Sequence, residues 1–192
     1  MFRNMTHGRS VTPGHTVVYP NREKPASVLV KYVVIIILLV SVALMLIVTF
    51  GGWSKLQGLK PVNFVWSIAY VLLAYFIWRR WARGLLPIVS TLAILALIMA
   101  VIAGTGASGT SWFDRSSSGF ASAQSIFGGN GLSADTLGAF TILMIPVQGL
   151  LILFATIGFA QSWNVELEVP HDEARRRGYH VSGPPPPQPA PA

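Results

Sequence analysis

The chain has 192 residues, 52% of them hydrophobic and only 11% charged, against roughly a quarter charged in an average soluble domain. It carries a net charge of +7 and no cysteine, which excludes thiolate catalysis, disulfides and Cys-ligated metal. The basic residues flank apolar blocks instead of gathering on one face among stacking aromatics, which excludes nucleic acid as a partner.

Four apolar blocks separated by short polar pieces lead us to expect an all-α integral membrane protein. Its core would be a four-transmembrane-helix bundle, residues 28–160, with disordered N- and C-terminal tails. Residues 1–27 mix Arg3, Arg9, Arg22 and Lys24 with Pro13, Pro20 and Pro25 and have no apolar period. They read as a mobile basic arm on the cytoplasmic side. Cations there lie against anionic headgroups, worth about 1 kcal/mol each near the surface. His7 and His15 have no neighbouring ligands that would make a metal site.

Residues 28–50 form the first span. From Tyr32 onward only Ser41 and Thr49 interrupt the apolar run, which exceeds the roughly 17 residues needed to cross hydrocarbon. Lys31, in the first turn, is placed to snorkel its ammonium back to the headgroups. A cleaved signal peptide is the alternative; the preceding polar stretch and the apolar core are both too long for one, and Thr49 to Trp53 offers no small-residue cleavage site.

Residues 51–61 make an external turn with Trp53, Lys55 and Lys60, and Pro61 opens the next helix. The span 62–78 is the shortest and carries Asn63, Ser67, Tyr70 and Tyr75 before Trp78. Arg79, Arg80 and Arg83 then form a cationic turn that fixes the topology as a cytoplasmic hairpin. The third span, 85–104, has Pro87 in its first turn, where a missing N–H costs least. Ala96, Ala100 and Gly104 make a row of small residues that lets another backbone approach closely, with Ala93 off that row. The plain alternative is the ordinary alanine content of a membrane helix.

Residues 105–136 are an external loop, long for a structureless connection. It is rich in Gly and Ser but interrupted by Trp112, Phe113, Phe120, Ile126 and Phe127. Ser118 is placed to cap a short helix along the membrane surface; the loop is either functional or simply held at the interface by its aromatics. Ser133 and Asp135 supply a cap and a first-turn acid for the last span, 137–160. Pro146 and Gln148 break that span's apolar character and predict a kink facing the bundle interior. Gln148 either bridges two helices or lines a solute path.

Residues 161–192 read as a cytoplasmic tail. Residues 164–169 alternate like a strand that lacks a partner. Glu166, Glu168, Asp172 and Glu173 balance three arginines, 175–177, and the run 184–187 favours polyproline II. With four spans and both termini inside, ten of the fourteen Lys and Arg are cytoplasmic and three external, with Lys31 at the boundary. This is the charge pattern of a plasma-membrane protein with its termini in the cytoplasm.

No span core holds an Asp, Glu, Lys, Arg or His, and all four histidines lie in the tails. Proton-coupled transport and haem ligation need such groups inside. The sequence therefore points to no catalytic residue, no cofactor and no metal. The expected function is a non-enzymatic accessory or scaffold subunit. Its partners would be membrane lipids and a larger membrane complex or a second copy of the chain. The alternative is a small transporter or channel for a neutral solute, using polar groups such as Ser67 and Gln148.

Overall fold

A computed structural model describes residues 5–6, 9–10, 12, 14–56, 59–104 and 125–179. The surface helix expected at Ser118, His7, His180 and the proline run lie outside these. Four helices dominate: α1 (Pro25–Gly51), α2 (Lys60–Arg80), α3 (Leu86–Gly104) and α4 (Ala134–Ala160). Each is long and apolar enough to cross a membrane, α3 counted with the 3-10 turn Arg83–Leu85 that precedes it. Helices α1, α2 and α4 run up to three residues past the expected spans, because their polar capping turns lie outside the apolar runs.

Local chemistry sets the ends. Pro25 and Pro61 sit in the first turns of α1 and α2, where their fixed φ suits a helix and no N–H is missed. Ser133 Oγ accepts from Thr136 N at 3.2 Å and caps α4. Helix α2 stops at Trp81, whose φ of 50° is left-handed. This is an uncommon state for an aromatic residue, and it turns the chain sharply into the 3-10 turn.

Helix α1 packs on α2 and on α4, and α4 packs also on α3. Along their length α2 and α3 have no packed interface of their own; they meet through the Arg83–Leu85 turn. The main core joins Val34, Leu38, Tyr70, Ile77, Val89 and Leu151. Outward faces are equally apolar, with Ile36, Val65, Ile68, Leu95, Ile98 and Leu153 all exposed. Helices that are hydrophobic all round suit an apolar solvent outside as well as an apolar core inside.

The strand-like segment has a partner after all. A short strand, β1 (Met5–Thr6), pairs with β2 (Arg9–Ser10). Next, β3 (His15–Val18) pairs antiparallel with β4 (Leu167–Pro170), His15 opposite Pro170 and Val18 opposite Leu167. A short helix, α5 (His171–Arg176), follows. The reading of residues 1–27 as an unattached arm is thus corrected over its second half. Each strand alone looked too short and polar to bury a face, and the pairing across the chain provides what neither has.

Candidate functional site

Three arrangements concentrate the polar and irregular features. The first is a bridge in the bundle interior. Gln148 on α4 is 0% exposed, as are Ser41 on α1 and Tyr70 on α2. The Tyr70 hydroxyl donates to Gln148 Oε1 at 2.9 Å, and Gln148 Nε2 donates to Ser41 Oγ at 2.9 Å. Ser41 in turn donates to the Ile37 carbonyl at 2.8 Å. One amide thereby ties three helices, and both of its ends are satisfied in a low-dielectric interior. Pro146, two residues away, is exposed; of the two residues that mark the expected kink, Gln148 is the one inside the bundle. The helix continues through Pro146, and the ring faces outward.

Two further polar residues of α2 are engaged with α1. Asn63 Nδ2 donates to Thr49 Oγ1 at 2.9 Å, and Ser67 Oγ reaches Met45 Sδ at 3.9 Å. Tyr75 is exposed. On α3, Ala96, Ala100 and Gly104 are buried. A Cβ on Gly104 would stand 3.2 Å from the Ile142 backbone nitrogen, so this end of the row is a close backbone approach to α4. Ala93, off that row, is 0% exposed and belongs to the main core, so the buried stripe is wider than the row itself. A helix buried over a broad stripe includes the position one turn earlier.

The second arrangement is a cleft at the seam where α2 and α3 do not pack. It encloses a cavity of about 130 Å³ near the end of the bundle that carries the 51–59 turn. Met45 and Met144 form its floor, Val62, Asn63 and Trp66 one wall, and Met99, Ala100 and Ala103 the other. The indole Nε1 of Trp66, beside the Tyr70 hydroxyl, is buried without a well-aligned hydrogen bond. Nothing in the sequence announced this cleft, because it is made by an interface that does not form.

The third is the opposite end of the bundle, where both tails meet the arginine turn. Trp163 is 0% exposed in the main core, so the chain does not become a free tail at residue 161. Its ring meets Trp81 edge-on, with centroids 5.3 Å apart and planes at 85°. Lys31 is 5% exposed and holds its ammonium 4.0 Å over the Trp81 ring. The ammonium is directed to the end of the bundle that carries the arginine turn, where an aromatic face offers the cation a partner. Arg22 Nε donates to the Trp163 carbonyl at 2.9 Å and Asn21 Nδ2 to the Ser162 carbonyl at 3.1 Å. Arg83 donates to the Phe159 carbonyl at 2.7 Å and to Asn164 Oδ1 at 2.9 Å. Arg79 and Arg80 are exposed.

Tyr19 donates to Glu166 at 2.8 Å, and burial together with that bond holds its phenol above the ordinary 10.0. Burial lowers the Arg22 guanidinium from its ordinary value. His15 and His171 each bury an Nδ1 without a partner. Among the described residues no group of three or more His, Cys, Asp or Glu is placed to hold a metal.

These features define a helical bundle with four helices able to span a membrane, a hydrogen-bonded interior, a lateral cleft and a fastened end. No family model, no curated protein and no solved structure matches the chain.

Proposed function

We propose that the chain is a multi-pass plasma-membrane protein with both termini cytoplasmic, acting as a non-enzymatic accessory or scaffold subunit. The observation that carries this reading is the interior bridge. Ser41, Gln148 and Tyr70 satisfy one another at the middle of the bundle, each fully buried, which supports a structural part for Gln148 over a place on a solute path. The acidic and basic residues of the four helices stand near their ends: Lys31, Lys60, Arg79, Arg80 and Asp135. Both described tail segments and the Arg79–Arg83 turn lie at one end, which supports placing that cationic end at the cytoplasmic side.

A rigid bundle with a fastened end and broad apolar flanks is suited to packing against other membrane helices. The test is purification of the full chain in native nanodiscs, with mass spectrometry of what accompanies it. A stoichiometric membrane partner is the expected result. Solute flux through liposomes containing the protein alone would overturn the scaffold reading in favour of a neutral-solute channel.

A further inference from the structure

We propose that the cleft between α2 and α3 holds one acyl chain of an anionic phospholipid, with its headgroup seated at the first turn of α2. The inference rests on the membrane reading above. In a closed ring of four helices the α2–α3 seam would be filled by side chains; here, among the described residues, it is open, and the cavity behind it is walled mainly by hydrocarbon and thioether groups. Its volume of about 130 Å³ is comparable to cavities of ~150 Å³ that take up benzene. It therefore has room for a short run of methylene groups. Left empty, its lining would forgo dispersion contacts that an acyl chain restores. Three methionines, Met45, Met99 and Met144, line it from three different helices, and their flexible, polarizable side chains adapt to a chain of variable shape.

Charge at the mouth selects the headgroup. Leu59 and Val62 line the cavity and bracket Lys60, so the cavity reaches the α2 N-terminus. Leu59 is the N-cap and offers no side-chain acceptor, which leaves first-turn N–H groups directed outward. Lys60 stands at this rim with its ammonium 4.4 Å over the Trp53 ring. Among the described residues Lys55 has a partner of its own, so the cation placed at the rim is Lys60. A phosphate above an apolar slot matches both parts of the site.

The test uses the full chain in nanodiscs of equimolar phosphatidylcholine and phosphatidylglycerol, followed by transfer to detergent and native mass spectrometry. The wild type is expected to keep a single lipid enriched in phosphatidylglycerol. Ala103→Phe, filling the α3 wall, is expected to lose it. Val62→Trp, at an exposed position on the opposite wall, is a second filling variant in case the first disturbs the fold. Lys60→Gln is expected to keep a lipid but reduce the preference for the anionic one about fivefold. Equal lipid retention in the wild type and both filling variants would mean annular lipid only and would overturn the proposal. Loss of an accompanying protein instead of a lipid would overturn it as well. Failure of the wild type to enter nanodiscs would overturn the membrane reading and this proposal together, whereas entry without variant-sensitive lipid overturns this proposal alone.

Discussion

Gln148 sits where a single side chain decides how three helices meet. Replacing it with leucine keeps a similar volume but strands the Tyr70 hydroxyl, which is fully buried and has Gln148 as its acceptor. Gln148→Leu is expected to lower stability by about 1–2 kcal/mol, read as a drop in Tm in detergent. Adding Tyr70→Phe removes the stranded hydroxyl, so the double variant should recover part of that loss instead of adding to it. Strictly additive losses would show that the bridge does not couple the two residues. Gln148 was legible in the sequence as a polar residue in an apolar span. Its partners were not: Ser41 and Tyr70 were visible as polar positions near mid-span, but nothing local sets the rotation of one helix against another. Lys31 presents the same problem, since its ammonium answers to Trp81, fifty residues on in the chain and adjacent in space.

At the scale of elements, what the sequence marked well was the existence and length of the helices. It marked poorly which face of each one packs. Buried Val34 and exposed Ile36 are both apolar, so hydrophobic periodicity, the usual guide to an inward face, is silent when the surroundings are apolar too. Small residues carry the signal instead, as α3 illustrates, although the buried stripe begins at Ala93. Ala93→Leu and Ala100→Leu are each expected to overpack the contact and cost about 1–3 kcal/mol. Ile94→Leu, on an exposed position, should be close to neutral in the same thermal melt. Gly104→Val should be worse than either alanine change, because its Cβ meets α4 backbone that cannot move aside as a side chain can. Equal tolerance at all four positions would mean that this face is not the α3–α4 contact. The seam between α2 and α3 lay beyond sequence reasoning for a different reason: an interface that is absent leaves no pattern.

For the whole molecule, orientation is the first matter to measure. Cysteine at Ser54 should react with an impermeant thiol reagent applied to intact cells, and cysteine at Ala82 should not; the natural chain has no cysteine to confuse the reading. Labelling at Ala82 would invert or dismantle the proposed arrangement. The fastened end should also respond to alkali. Because the Tyr19 phenol is held above its ordinary 10.0 by burial and by Glu166, the folded state keeps that proton more firmly than the unfolded chain does. Its contribution is complete below pH 10.0 and fades as the pH rises through the raised value. Melting temperature in detergent should therefore fall more steeply above that pH for the wild type than for Tyr19→Phe; parallel curves would detach Tyr19 from stability. The clasp has a further consequence for how the molecule is made. Thr12 meets Glu168 across 156 residues of chain, and β3 finds its partner strand in a segment synthesised after all four helices. Strand β3 thus has no mate until the segment that follows all four helices has been made, so the clasp closes only around a complete set of helices. A chain lacking Leu167–Pro170 has no mate for that strand, so His15–Val18 is expected to lose its protection from amide hydrogen exchange while the four helices keep theirs.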